Sequence, residues 1–496
     1  MAKLTTVDAF VLFAYLFAIV AFGAWIGRGK QDARRYLLGG NDAPWWAILG
    51  SIVATETSTV TFLSVPGIAF AEGGDLRFLQ LAIGYIVGRT ILVMWLLPGY
   101  FRGDVFTVYE LLQNRFGAAT RKLASLIFLV TRNLGDGLRL FLTAVVLEAT
   151  LGWSLPTCVI VIGIATIVFT VFGGMQSVIT NDCIQLVVYM MGGLIALFLI
   201  VGRLEGGFDG LIDFARDSGR LTLFDFAITD DEGLRFGETY TFWAGLIGGA
   251  FLTLGTHGTD QMFVQRALAA RSQADAGRAM IASGFVVFVQ FTLFLFVGIA
   301  LAQFYGTNYP DMVFESGDRV FSTYIVDEMP AGVGLIGLLL AAVFSAAMST
   351  LSSSLNSSAT AVVNDWIGPT SPHASDRNIV SYSRGLTVVF GIIQIGIGIW
   401  AAGFDNAVIS NALAIAGFSA GLLLGLFALG SLLKRVNESS AILGLAFGLL
   451  VLLMVKFSSI QIAWPWLPVI GSTATFLAGA IASFILPQKN VEENDI

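Results

Sequence analysis

Residues 54–62 read ATETSTVTF, from Ala54 to Phe62, inside an apolar stretch that runs from Trp45 to Phe70. Four threonines, a serine and a glutamate crowd the middle of a segment otherwise suited to a bilayer. An acidic residue at the centre of a membrane helix costs about 2.5–3.5 kcal/mol, so lipid exposure of Glu56 is excluded. The polar residues at 55–59 are consecutive and cover every side of a helical turn. They are therefore surrounded by protein or by a water-filled cavity. Two readings are open at this point. Either the helix is interrupted here and offers backbone carbonyls to a cation, or the hydroxyls bond back to the i−4 carbonyls and Glu56 pairs with an arginine elsewhere, such as Arg89.

The rest of the chain supplies the setting. It has 496 residues, 56% of them hydrophobic and 12% charged, against about 25% charged in soluble domains. Apolar runs of bilayer length recur throughout. Thirteen spans are expected, at 8–27, 45–70, 78–100, 122–150, 155–174, 179–202, 239–264, 276–304, 332–363, 379–402, 407–430, 437–457 and 463–486. They are numbered here helix 0 to helix 12. The chain reads as an all-α polytopic membrane protein with no soluble domain. Helix 0 is expected to be retained, since its apolar core is too long for a signal peptide and only Lys3 precedes it. The basic loops "RGKQDARR", "QNRFGAATRK", "QRALAARSQADAGR" and "LLKR" fall on one side of the membrane, and the acidic "FDFAITDDEGLRFGE" and "YPDMVFESGD" on the other. By the positive-inside rule the N-terminus is outside and the C-terminus cytoplasmic, in a plasma membrane, the inner membrane if the source is bacterial. The tail "QKNVEENDI" is polar. The net charge of −7 is spread over loops, and no basic run suggests nucleic acid. Cys158 and Cys183 are too few for a disulfide framework or a metal cluster.

Helix 6 repeats the anomaly of helix 1. It reads GGAFLTLGTHGTDQMFVQR from Gly248 to Arg266, with Gly255 and Gly258 flanking Thr256 and His257, and Asp260 following. An unwound point is expected at the glycines. Helices 1 and 6 are five apart, and matched interruptions in two five-helix halves point to an inverted-repeat transporter with its site at the midplane. Helix 8 reads SAAMSTLSSSLNSSAT from Ser345 to Thr360. Helical spacing places Ala346, Ser349 and Thr350 on one patch, where the hydroxyls supply hard oxygen ligands. The competing reading is a seam of small residues for close helix packing, which suits Ser352 to Ser354, Ser357 and Ser358.

With these pieces in place the sequence resembles the sodium:solute symporter family over nearly its whole length. The resemblance rests on "YLLGG" before helix 1, "ATETSTVTFLSVPG" in it, "VFGGMQSVITNDCIQ" leading into helix 5, "GTDQMFVQRALAAR" at the end of helix 6, and "AAMSTLSSSLNSSAT" in helix 8, in that order. It implies a leucine-transporter-type inverted repeat of helices 1–5 and 6–10 in a single transporter domain. Residues 8–27 would be an extra N-terminal helix, 39–430 the ten-helix core, and 431–496 two more helices and the tail. It implies sodium-coupled uptake of a small solute by alternating access, working as a monomer. By motif, the carbonyls of Ala54, Thr57 and Ala346 and the hydroxyls of Ser349 and Thr350 match the shared sodium site. Asp182 and Thr350 match a second one found in some relatives. Thr61 and Gln80 align with substrate-binding positions. Asp260 stands where sugar transporters carry asparagine, and Phe263 stands at an inner-gate position. These departures speak against a simple hexose.

Glu56 and Ser58 lie close enough to the expected site to touch substrate. Arg132, Asp136 and Arg139 share one face of helix 3. They form either a self-neutralising ladder or a row with one positive charge left for substrate. Arg139 lies near mid-depth, and arginine binds carboxylates through two parallel hydrogen bonds. The expected cargo is therefore a small polar solute with a carboxylate, best a zwitterion or hydroxy acid because Glu56 and Asp260 are also near. The alternatives are a sodium-coupled sugar or polyol symporter, a proton-coupled carrier titrating at Asp182 or Glu56, and a transporter-fold sensor. An enzyme is not expected. There are two histidines, His257 and His373, no HExxH, and "NLGD" at 133–136 lacks the first glycine of GxGD.

Overall fold

Helix 1 breaks where its polar residues crowd. One helix runs Trp45–Glu56, the next Thr59–Phe70, and between them Thr57 (φ −80°, ψ 102°) and Ser58 (φ −93°, ψ 170°) are extended. The two parts are bent by 63°. Both readings of this stretch hold in part, because the Thr57 hydroxyl also donates back to the Val53 carbonyl at 2.8 Å. The structure is a computed structural model describing residues 4–28, 32–103, 105–230, 233–314, 316–370, 375–404, 414 and 417–486, without the side chains of Val60, Ala149 and Thr150. The tail at 488–496, His373 and the expected start of helix 10 lie outside the described residues.

Among the described residues, eight helices are long and apolar enough to cross a membrane, and the bent pair of helix 1 makes a ninth. Other apolar segments form longer, broken or shorter helices. Leu155–Val201 is 47 residues long and kinks at Gly174 (φ 57°, ψ −158°), a backbone conformation essentially confined to glycine. At 1.5 Å per residue it is about 70 Å long, enough for two crossings of a 30 Å core, and it carries helices 4 and 5. Helix 3, Ala118–Leu151, holds its row of charges. Helix 6 is divided into Ala244–Gly248, a π-helical turn, then Gly249–Thr259 and Gln261–Leu268. The described part of helix 10 is Phe418–Leu432.

The break in helix 6 is not at its glycines. The helix continues through Gly255 and Gly258 and stops at Asp260, which is extended (φ −88°, ψ 125°) and caps the next segment by accepting from the Met262 N–H at 2.9 Å. The glycines instead permit close approach. A Cβ at Gly255 would lie 2.3 Å from the Ala420 carbonyl oxygen, and one at Gly258 would lie 2.9 Å from Leu96. An aspartate that can cap a new helix outweighs the conformational freedom of glycine here.

Helix 8, Leu335–Val362, forms the centre. Its apolar window is 89% buried, against 22% for helix 0 (Thr6–Ile26) at the lipid edge. Around it, helices approach backbone to backbone through small residues, as membrane packing favours. On helix 2 (Leu79–Trp95), a Cβ at Gly84 would meet the Gly245 carbonyl at 2.2 Å and one at Gly88 the Ala250 carbonyl at 2.4 Å. Helix 7 (Gln273–Asn308) places Gly298 against the Pro66 carbonyl in the same way.

Several elements had no signal in apolar runs. They are the short helices Ala33–Leu38, Tyr109–Arg115, Gly207–Asp217 and Asp318–Asp327, and a hairpin pairing Thr229–Asp230 with Gly233–Leu234. Ahead of the hairpin, Asp225 is bound by Arg235 at 3.0 Å and Arg77 at 3.3 Å. Burial works against its charge, but these partners hold its carboxyl below the usual range. The Asp225 N–H donates to Gln80 Oε1 at 3.1 Å, and Gln80 Nε2 donates to the Arg77 and Tyr240 carbonyls, each at 3.0 Å. Gln80 thus clasps this loop to helix 2.

Gly88→Ala is expected to lower the melting temperature of the purified protein by several degrees, because overpacking costs about 1–3 kcal/mol. Gly385→Ala, on helix 9 with open space around it, is expected to leave it unchanged or slightly raised. Equal melting temperatures would show that the helix 2–helix 6 seam yields.

Candidate functional site

Helix 1 and helix 8 meet at the break. Thr350 Oγ1 donates to the Thr55 carbonyl at 3.1 Å and lies 3.3 Å from the Ala346 carbonyl of its own helix. Among the described residues, no backbone N–H closes on the carbonyls of Ala54 or Thr57 across the break. The Thr57 side chain is held firmly. Besides donating to Val53, its hydroxyl accepts from Gln290 Nε2 at 2.7 Å and Tyr189 OH at 3.0 Å. Unpaired carbonyls and threonine oxygens in a buried setting are hard, neutral ligands, which suit a monovalent cation. No group of three or more His, Cys, Asp or Glu side chains that could hold a metal ion occurs among the described residues.

One turn deeper, Asp182 of helix 5 is fully buried. Its carboxylate accepts from Ser51 Oγ and Ser349 Oγ, each at 2.5 Å, and from Arg266 Nη2 at 3.1 Å. Arg266 is buried as well. It also donates to Ser51 Oγ at 2.8 Å, to the Met262 carbonyl at 2.5 Å and to Ser353. Ser349, rather than Thr350, is the hydroxyl on Asp182. The serines expected as a packing seam do more than pack. Ser353 reaches Thr55 at 3.1 Å, Ser354 accepts from Gln394 at 2.9 Å, and Ser358 accepts from Asn133 at 3.2 Å.

Beside the break lies a cavity of about 260 Å³, lined from helices 1, 2, 3, 6, 8 and 10. Of the expected substrate and gate residues it takes in Glu56, Ser58, Arg139, Asp260 and Phe263, and Thr350 also reaches it. Thr61 and Gln80 do not line it. The Gln80 amide bonds backbone groups through both its atoms. Tyr85, Arg132, Thr253, Thr256 and His257 also line the cavity and were not singled out from the sequence as site residues.

The charges around the cavity pair off. Glu56 forms an ion pair with Arg89, which is itself fully buried and also donates to Ser283 Oγ at 2.5 Å. On helix 3, Arg139 binds Asp136 at 2.5 Å, Arg132 lies 3.7 Å from Asp136, and Arg132 forms an ion pair with Asp260. The row therefore alternates Arg139, Asp136, Arg132, Asp260. No positive charge is left over, because helix 6 supplies the missing acid. The side chain of Arg139 is nevertheless 37% exposed, against 11% for Arg132 and none for Arg89. It is the arginine most open to an incoming group.

Removing one partner of a buried ion pair costs about 3–5 kcal/mol because it strands the other charge. Arg266→Gln is accordingly expected to lower thermal stability far more than the double variant Asp182→Asn/Arg266→Gln. A double-mutant cycle on purified protein checks this, and additive losses would show that the pair does not act as a unit.

Residues 36–448 match the profile of the sodium:solute symporter family. The chain is 30% identical over 447 residues to the Homo sapiens sodium-coupled monocarboxylate transporter 2, covering 89% of this chain and 71% of that one. It is 29% identical over 487 residues to the Aliivibrio fischeri sodium/sialic acid symporter NanT, covering 96% and 93%. A solved structure of a Na+-coupled sialic acid symporter in a substrate-bound outward-open state aligns with a TM-score of 0.87 at 26% identity, covering 97% of this chain and 98% of that one.

Proposed function

The chain belongs to the sodium:solute symporter family, and from this we propose that its sodium-driven cargo is a small polar solute bearing a carboxylate. The observation that carries the reading is Arg139. Its guanidinium opens onto the cavity and bonds Asp136 through Nη1 alone among the described residues. A carboxylate can approach its remaining N–H groups in the bidentate manner guanidinium favours. Glu56 and Asp260 do not oppose this, because Arg89 and Arg132 neutralise them. The sialic acid symporter and the monocarboxylate transporter among the similar proteins carry acids by their names, which supports the same class.

The sodium ion is cargo too. We assign it to the carbonyls of Ala54, Thr57 and Ala346 and the hydroxyls of Ser349 and Thr350. The free carbonyls of the helix 1 break support this assignment, as does the approach of Thr350. A sodium ion moving down a tenfold gradient releases about 1.4 kcal/mol, and its charge releases about 2.3 kcal/mol more per 100 mV. Carried with a monoanion, one sodium moves no net charge and keeps only the first amount. A second ion restores the electrical drive, and we place it at Asp182 near Thr350, where it has to displace Arg266. The architecture that goes with this reading has thirteen spans. They form one domain, with an inverted repeat over 39–430 flanked by 8–27 and 431–496. The monomer sits in a plasma membrane, with its N-terminus outside and C-terminus cytoplasmic. Phe263 serves as the gate below the cavity.

Two measurements in liposomes test this. Thr350→Ala and Ser349→Ala are each expected to raise the sodium concentration for half-maximal uptake about tenfold or more, and unchanged sodium dependence in both would overturn the ion site. Carboxylic acids are expected to compete for uptake where their amides do not, and Arg139→Gln is expected to erase that difference. If amides compete as well as acids in the wild type, the carboxylate reading fails.

A further inference from the structure

Arg132 stands between two carboxylates and is spent on one of them. It forms an ion pair with Asp260 of helix 6, while its Nη1 stays 3.7 Å from Asp136 Oδ2, one turn away on its own helix. That is too far for a hydrogen bond. On this unused side both groups lack a partner. Asp136 Oδ2 and Arg132 Nε are buried without a hydrogen bond among the described residues. Arginine and aspartate four residues apart on a helix can pair directly. The orphaned acceptor and the orphaned donor therefore mark a second seat for the guanidinium.

Arg139 keeps Arg132 off that seat. It binds Asp136 Oδ1 at 2.5 Å and supplies the positive charge that this fully buried carboxylate needs. Without Arg139, Asp136 has no ion-pair partner but Arg132 among the described residues. The contest for Arg132 is then unequal. Asp136 is closed to solvent, whereas Asp260 keeps 10% of its side chain exposed at the cavity wall and also accepts from the Met262 N–H. The carboxylate with less water loses more by going without its cation.

The choice of seat bears on helix 6. Among the described residues, the Arg132–Asp260 pair is the one hydrogen bond or ion pair that joins helix 3 to helix 6. Asp260 sits in the helix 6 break, and the segment beyond it carries Arg266, which binds Asp182.

We propose that Arg132 is a positioning residue, a two-seat latch that holds helix 6 to helix 3 through Asp260 only while Arg139 holds Asp136. A cargo carboxylate that shares the Arg139 guanidinium weakens its hold on Asp136 and so loosens helix 6. That trigger rests on the carboxylate reading, and the latch itself does not.

The test measures the helix 3–helix 6 distance by double electron–electron resonance. Spin labels are placed at Lys122→Cys and Arg271→Cys, both exposed positions, in a Cys158→Ala/Cys183→Ala background. Purified protein is measured in sodium with no added solute. Arg139→Gln is expected to raise the ratio of longer to shorter distance about tenfold or more. Arg139→Gln/Asp136→Asn, in which residue 136 no longer competes, is expected to restore the parent distribution, which a loss of packing would not do. Asp260→Asn keeps a helix-capping residue and is expected to give the longer distance with either residue at 136. An unchanged distribution in Arg139→Gln, or a longer population that persists in the Arg139→Gln/Asp136→Asn variant, overturns the latch. Should Arg139→Gln fail to accumulate, Asp260→Asn decides, and an unchanged distance there overturns the latch as well. Amides that compete for uptake as well as acids overturn the carboxylate trigger and leave the latch intact.

Discussion

A carboxylate sealed in an apolar bundle has to find a cation, and the Asp182–Arg266 pair is where this protein meets that demand most completely. Neither group is accessible to solvent. The desolvation of two such ions is recovered only with good geometry and additional hydrogen bonds, and these come from different parts of the chain. Ser51 belongs to helix 1, Ser349 and Ser353 to helix 8, Asp182 to helix 5 and Arg266 to the segment after the helix 6 break. Four elements far apart in sequence are thereby fixed in depth relative to one another. The interruption in helix 1 begins six residues beyond Ser51, and the Thr55 carbonyl just before it meets Thr350 of helix 8.

The proposed assignments make ion and solute neighbours. Thr55 and Thr350 line the cavity, and they are joined to each other by the hydrogen bond from the Thr350 hydroxyl to the Thr55 carbonyl. Anything that repositions Thr350 is felt on both sides. Coupling between two ligands is a reciprocal free energy, and a shared wall one residue thick is a short route for it. The paired charges around the cavity complete the design. Glu56, Asp260, Arg132 and Arg139 line the cavity, and Arg89 and Asp136 pair with them from behind, so three acids and three arginines leave the wall without net charge.

The fold class was legible because bilayer length and apolar content leave so few alternatives. The break in helix 1 was legible because five consecutive polar residues cannot all face lipid. Pairing was not. Arg132, Asp136 and Arg139 look unbalanced along helix 3, and only the fold brings Asp260 across from helix 6. Gln80 was singled out by its alignment with substrate-binding positions, and no alignment shows that its amide also bonds the Arg77 and Tyr240 carbonyls. In helix 6 the glycines invited an unwound point, but helix packing against Ala420 and Leu96 competes for the same residues. His257 carried a weak signal as one of two histidines, and no sequence spacing reveals that its ring stacks on Phe263 in the cavity wall.

Helix 0 has a temporal consequence. Asp8, buried at its start, accepts from the Gly332 N–H at 3.1 Å, and a Cβ at Gly337 would lie 2.1 Å from the Asp8 carbonyl oxygen. Farther along, Ser177 of helix 5 donates to the Gly23 carbonyl at 3.0 Å. These partners emerge long after helix 0 itself. At about 5–20 residues per second, the 324 residues between Asp8 and Gly332 keep the ribosome occupied for some tens of seconds. For that time Asp8 keeps only its local hydrogen bond from the Thr5 hydroxyl. The start of helix 0 is therefore locked to helix 8 only after residue 332 has emerged, and a nascent chain arrested before that point would leave this end of the helix exposed to whatever surveys unassembled helices.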